Sequence, residues 1–269
     1  METKDDYIGS DDLLYCGKCR TPKQFQLDDK VKMHFKHLDK VSTLCKCEFE
    51  ARNNEQDLKK ARELKVKSDD LRRAGIDGTQ YFNWTFDMDD RSNKRVSDGC
   101  RKYVDDWEDM LKDNVGLLFM GGVGVGKTFY ACCIANAIID KQTPALVTNF
   151  PRLLRLLQAT AFDKDGMDIL NRLQKYDLVV IDDLGAERST EYALEQMYLA
   201  VDTRYRSGKP TIITTNLPPQ ALMKPENLAY KRIYDRILEM CAIVVVMEGN
   251  SRRQERKQAQ RDKYKGLFA

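Results

Sequence analysis

Eight consecutive residues, Gly121-Gly122-Val123-Gly124-Val125-Gly126-Lys127-Thr128, constrain the fold of this chain more than any other stretch. They match G-x-x-x-x-G-K-[ST], a pattern that works where a strand ends and a helix begins. Glycines let successive backbone N–H groups converge on phosphate oxygens in conformations that a Cβ forbids. The start of the following helix adds a favourable dipole. Lys127 would put a point charge on the β- and γ-phosphates, and the Thr128 hydroxyl is a ligand for Mg2+. The flanking sequence meets the requirement: Gly116–Met120 is a short apolar run, and Thr128–Asp140 reads as a helix. ATP with Mg2+ is therefore the expected ligand.

The same alternation continues to residue 248. Ala145–Val147, Leu178–Ile181, Thr211–Thr214 and Ala242–Met247 are short apolar runs of the kind buried on both faces of a parallel sheet. Pro151–Ala161, Thr190–Tyr205 and Tyr230–Met240 read as the helices between them, with Leu194, Met197, Tyr198, Val201 and Tyr205 on one apolar face. A further helix is expected around Arg101 to Leu111, after the aromatic stretch Tyr81-Phe82-Asn83-Trp84-Thr85-Phe86. The fold class is α/β, a P-loop NTPase sheet flanked by helices.

Leu178-Val179-Val180-Ile181-Asp182-Asp183 is an apolar strand ending in two acids. Such a strand end places Asp182 beside the phosphate loop, where it can hold Mg2+ through water. Asp183 is the candidate to polarise an attacking water. Asn216, at the end of the next strand, is suited to orient that water or to sense the γ-phosphate, although an Asn before Pro218-Pro219 also suits an ordinary turn. Arg232 and Arg236 lie four apart on one helix face. Either guanidinium could reach a neighbour's γ-phosphate; a solvated face with an Asp235 pair fits equally well.

No apolar run approaches the ~18 residues of a membrane span, and Met1–Ser10 has no signal-peptide core. A cytoplasmic location follows as the expectation, and its reducing chemistry means the eight cysteines are not read as disulfides. Cys16-x-x-Cys19 and Cys45-x-Cys47 form two close thiol pairs separated by 25 residues. Four thiolates can close a tetrahedral Zn2+ site and fix a segment too small to fold on its core alone. His34 and His37 are alternative ligands. Cys132, Cys133 and Cys241 sit in apolar surroundings and read as core, while Cys100 carries no signal. The organisation expected is a zinc-binding module at 1–49, a charged helical linker at 50–75 and an ATPase domain at 76–269.

Charge is nearly balanced at +3, so its placement matters more than its sum. Ser251–Gly266 carries seven Lys/Arg against two acids, which suits either a nucleic acid or a solvated helix end. Arg152 and Arg155, near Phe150 and Phe162, combine basic and aromatic groups in the way that suits single-stranded DNA.

Together these segments resemble the DnaC/DnaI/IstB group of AAA+ ATPases, over roughly residues 76–255. The resemblance is carried by Gly121–Thr128, by Asp177–Gly185 with Ala186-Glu187-Arg188, by Pro210–Leu217 and by Arg232–Cys241. The Cys16–Cys47 module followed by a charged helix is similar to phage and prophage DnaC-like helicase loaders. The resemblance implies a protein that grips a hexameric replicative DNA helicase through its N-terminal region. It also implies self-association through the AAA+ domain, with ATP at subunit junctions, and placement of the helicase on single-stranded DNA. Carried onto this chain, it makes Asn216 the first sensor and Arg236 or Arg232 the trans-acting finger. It makes Arg253, within Ser251-Arg252-Arg253, the second-sensor contact, and puts Arg152 and Arg155 on the helix turned towards DNA. Asp183 stands where many relatives have Glu, so slow or stimulated turnover is expected. An IstB-like transposition helper is the alternative; the cysteine module favours a loader, because it supplies a separate docking unit. A third reading, an adaptor in which ATP is only structural, leaves Asp182, Asp183 and Asn216 without a purpose.

Overall fold

The structure is a computed structural model that describes residues 5–28, 39–159, 164–186, 190–225 and 227–265. The chain forms two compact units, Met1–Val66 and Lys67–Ala269. Among the described residues, no helix is long and apolar enough to cross a membrane.

The smaller unit contains two short antiparallel hairpins. Strand β1 (Tyr7–Ile8) pairs with β2 (Leu14–Tyr15), and β3 (Gln24–Gln26) pairs with β4 (Lys40–Ser42). Helix α1 (Lys46–Gly75) follows, and the boundary between the units falls within it. The last residues of the charged segment thus belong to the larger unit. Ser68 is buried and donates to the Ile139 carbonyl, and Arg72 donates to Asn136 Oδ1 at 2.9 Å. Among the described residues, the buried hydrophobic positions of the smaller unit are Cys16 and Cys45 alone. A unit with so little apolar burial cannot offset its chain entropy without a cross-link.

In the larger unit, 3-10 turns at Thr79–Asn83 and Phe86–Met88 lead to helices α2 (Lys94–Asp105) and α3 (Trp107–Lys112). The single helix expected around Arg101–Leu111 is therefore broken, at Asp106. Then come β5 (Leu117–Gly121), α4 (Lys127–Asp140), β6 (Ala145–Asn149), α5 (Phe150–Ala159), α6 (Lys164–Lys175) and β7 (Leu178–Leu184). The chain continues through α7 (Glu191–Ser207), β8 (Thr211–Thr215), α8 (Pro219–Met223), α9 (Leu228–Met240), β9 (Ile243–Met247) and α10 (Arg252–Lys263). Helix α6 was not anticipated, because its charged and glycine-containing sequence hides the Ile169 and Leu173 stripe that it buries.

The five strands form a parallel sheet in the order β6-β7-β8-β5-β9. Side chains alternate across it. Leu118, Val179, Ile181 and Ile213 join one core, with α5, α7 and α9. Leu117, Phe119, Val180 and Ile212 join the other, with α2 and α4. Cys132, Cys133 and Cys241 are fully buried, and Cys100 is core as well. Burial on both faces fails for β9, where Ile243, Val244 and Val246 are exposed. The other edge strand, β6, is buried along nearly all its length, so edge position alone does not account for the exposure of β9, and its apolar run does not reveal it.

Arg204 is the largest fully buried side chain. All five of its N–H donors are used. Nε donates to Thr211 Oγ1 (3.0 Å), Nη1 to the carbonyls of Leu173 (2.9 Å) and Tyr176 (2.8 Å), and Nη2 to those of Asp177 (3.0 Å) and Pro210. Burial draws the guanidinium pKa down to about 9, against the opposing pull of Asp177. Arg204→Met would keep the volume and orphan these acceptors. We expect a loss of about 3 kcal/mol of stability, seen as a lower urea midpoint at unchanged slope.

Candidate nucleotide-binding site

The site is assembled at the C-terminal ends of the strands. β5 delivers the chain into the 121–126 loop, and Gly126, left-handed at φ 102°, caps the start of α4. Gly124 has φ 85°, and a Cβ there would lie 2.1 Å from Ser251 Oγ. Lys127 is the first residue of α4 and is buried. Its three ammonium protons go to Gly121 O (2.8 Å), Gly122 O (2.7 Å) and Asn216 Oδ1 (2.7 Å). Burial lowers its pKa, and Asp183 and Asp182 oppose that shift.

Asp182 ends the apolar run of β7 and is itself buried. Its Oδ1 accepts from Thr128 Oγ1 at 2.8 Å and from Thr214 Oγ1. Burial raises its pKa, against the hydrogen bonds from Thr214 and Thr128. A carboxylate whose charge burial disfavours, next to a hydroxyl, gains from a divalent cation. Thr128 and Asp182 therefore fit Mg2+.

The β7–β8 register shifts between Ile181 and Leu184, and Asp183 sits at φ 57° with its N–H on Thr214 Oγ1 at 3.1 Å. A bulge of this kind re-aims a side chain. Here Asp183 lines the same pocket as Lys127, Thr128 and Asn216, where strict alternation would turn two successive residues to opposite faces.

The family resemblance points Arg253 at the nucleotide, but Trp84, Met88, Phe129 and Arg256 carry no such sign in the sequence. Trp84, Met88 and Phe129 line one side. Trp84 packs on Phe129 with ring centroids 6.0 Å apart, and Asn136 clamps its segment by donating to the carbonyls of Tyr81 (2.9 Å) and Trp84 (3.1 Å). Arg252 and Arg256 line the other side together with Arg253. The aromatic run at 81–86 and the i, i+1, i+4 spacing of Arg252, Arg253 and Arg256 are visible in the sequence, but nothing local ties them to the phosphate loop.

Arg232 and Arg236 lie outside the pocket lining. Arg236 pairs with Asp202 at 2.6 Å and stacks on Tyr198, 4.5 Å from the ring centroid. Arg232 is exposed. Among the described residues, neither pairs with Asp235. Arg152 and Arg155 are exposed on α5, and Arg152 pairs with Asp77 at 3.0 Å. Phe150 is fully buried, so it cannot stack a base beside them; Phe162 lies outside the described residues. The basic helix α10 has no buried residue. Glu187, Arg188 and Gly266 also lie outside the described residues.

In the smaller unit, the Sγ atoms of Cys16, Cys19, Cys45 and Cys47 all lie within 4.8 Å of one another. Cys16–Cys47 and Cys45–Cys47 are 3.6 and 3.3 Å apart. Zn–S bonds of about 2.3 Å in a tetrahedron put sulfurs about 3.8 Å apart, so the four thiols fit Zn2+ with small adjustments. A tight turn presents the first pair: Cys16 N–H donates to Thr21 O (2.9 Å) and Arg20 N–H to Cys16 O (2.8 Å). The Thr21 hydroxyl helps draw the Cys19 thiol down to about 5, whereas burial pushes Cys45 up to about 12. Lys23 braces the cluster between Asp6 (2.7 Å) and Glu48 (2.8 Å). His34 and His37 lie outside the described residues.

The family model described as "IstB-like ATP binding protein" matches residues 24–260. The replicative helicase loader DnaI of Bacillus subtilis is 28% identical over 148 residues, covering 51% of this chain and 47% of DnaI. The phage-like element PBSX protein XkdC of the same organism is 30% identical over 166 residues, covering 55% of this chain and 57% of XkdC. This chain thus spans about half the length of such relatives. Among solved structures, the DnaC helicase loader superimposes with a TM-score of 0.54 at 24% identity, over 64% of this chain and all of that one. That likeness speaks for the fold.

Proposed function

Since the chain belongs to the family of IstB-like ATP-binding proteins, we propose that it is an ATPase that binds a replicative DNA helicase and places it on single-stranded DNA, with ATP as the assembly switch. The observation that carries the ATPase reading is the meeting of Lys127, Thr128, Asp182, Asp183 and Asn216 at one end of the sheet. A site that only held nucleotide would not need two acids and an amide around its lysine. The helicase partner is supported by the likeness to DnaI.

In this reading the 121–128 amides and Lys127 cradle the triphosphate. Thr128 and, through water, Asp182 hold Mg2+, which supplies charge neutralisation at the β- and γ-phosphates. Asp183 accepts the proton of the attacking water, and Asn216 orients it beside the γ-phosphate. Aspartate is one methylene shorter than glutamate, which favours slow or partner-stimulated turnover. Arg253 contacts the phosphates from α10. Arg236, held ready by Asp202 and Tyr198, or Arg232 reaches the ATP of an adjacent copy. Arg152 and Arg155 face single-stranded DNA. The zinc-bound cysteine unit docks the helicase.

Tagged full-length protein, incubated with the replicative helicase of its host, should retain the helicase with ATP and Mg2+ and release it when nucleotide is withheld. Absence of helicase at every nucleotide state would remove the loader reading. The family match favours one second reading, a transposition helper; retention of a transposase in place of the helicase would establish it.

A further inference from the structure

Helix α10 poses a physical problem. It lines the nucleotide pocket with Arg252, Arg253 and Arg256, yet none of its residues is buried. Apolar packing therefore does not hold it there. Its attachments lie in its first turn: Ser251 sits against Gly124, and the Arg252 N–H donates to Gly124 O at 3.0 Å. The Arg252 side chain reaches the turn at 89–92, where Nη2 donates to Asp90 Oδ1 and Ser92 Oγ.

That turn is itself anchored. Asp89 accepts from the Tyr130 hydroxyl on α4 at 3.0 Å and from the Ser97 hydroxyl on α2, and Asp90 accepts from the Ser92 N–H at 3.0 Å. Two consecutive acids thus divide the work. Asp89 fastens the turn to the helix that carries Lys127, and Asp90 offers its carboxylate to α10. Met88, just before them, lines the pocket.

We propose that Arg252 is a positioning residue: through Asp90 and Ser92 it holds the first turn of α10 over the phosphate loop, so that Arg253 and Arg256 face bound ATP. This rests on the ATP-binding reading given above. The sign of one mutational effect separates positioning from simple charge. Removing an anion beside a site for a polyanion should tighten ATP binding by Coulomb's law. Releasing the helix should weaken it.

Full-length protein would be titrated with a fluorescent ATP analogue and Mg2+ as wild type, Asp90→Ala and Asp87→Ala. Asp87 is an exposed acid of the same segment, and among the described residues no salt bridge involves it. Asp90→Ala should raise Kd about five- to tenfold, while Asp87→Ala leaves it unchanged or lowers it. The melting temperature without nucleotide should stay put in both, because Asp90 is 67% exposed and such pairs add little stability. Unchanged or tighter binding by Asp90→Ala would overturn the proposal, as would an equal loss in Asp87→Ala or a matching drop in melting temperature. Wild type that binds no ATP would sink the parent reading; wild type that binds while Asp90→Ala is unaffected would sink this one alone.

Discussion

Lys127→Ala is expected to lower ATP turnover about a thousandfold and to weaken ATP binding, with the fold intact. The ammonium is gripped by Gly121 O, Gly122 O and Asn216 Oδ1 at 2.7–2.8 Å. Bound ATP would exchange at least one of these contacts for a phosphate oxygen, with the charge kept at the phosphate loop by the others. Burial already lowers its pKa, so a second negative partner in the form of a triphosphate strengthens the charged state. Lys127 opens α4, a position where alanine is well tolerated, and Asn216, one of the acceptors it leaves, lines the pocket, where water can replace the ammonium. Phosphate release at saturating ATP, with a melting curve on the same sample, checks both halves. Turnover within a few-fold of wild type would mean that the loop does not serve catalysis.

The second large effect concerns the cysteine unit. Purified protein should carry about one Zn2+ per chain. Chelation or Cys45→Ser should unfold the Met1–Val66 unit while the melting transition of the larger unit persists. Among the described residues, the thiols themselves are what this unit buries, and its two hairpins have two and three residue pairs. Among the described residues, those hairpins have no other core to fold around without a cation drawing the four sulfurs together. Cys100→Ser is the control, since Cys100 belongs to the core of the other unit. Heteronuclear NMR would report loss of dispersed signals from residues 5–45 after chelation. Dispersed signals from a metal-free sample would refute the zinc site.

Legibility in the sequence followed the range of the interactions. The phosphate loop, the acidic end of β7 and Asn216 are local patterns with a local reason, and the alternation of short apolar runs with helical faces traces the sheet. The four cysteines could be grouped because thiol pairs at short spacing have few other purposes. What escaped depends on partners far along the chain. Arg252 meets Asp90 across 162 positions, Arg204 collects carbonyls from two segments, 173–177 and 210, and Trp84 lines the pocket on a turn that Asn136 clamps. The exposed face of β9 escaped for a different reason. An apolar strand that is covered, such as the edge strand β6, and one left exposed, such as β9, have similar composition, and only the packing around them distinguishes them.

The placement of Arg204 has one more consequence. Its acceptors sit where β7 and β8 begin, at Asp177, Pro210 and Thr211, whereas Asp183 and Asn216 sit where those strands finish. The two strands are thus tied at both ends: by Arg204 at the root and, about 15–20 Å away, by the Thr214 and Thr215 hydroxyls on Asp182 and on the Leu184 carbonyl near the tip. In the ATPase reading, a shift on cleavage would then fall to the loops beyond the strands, since the strands themselves are held at root and tip alike.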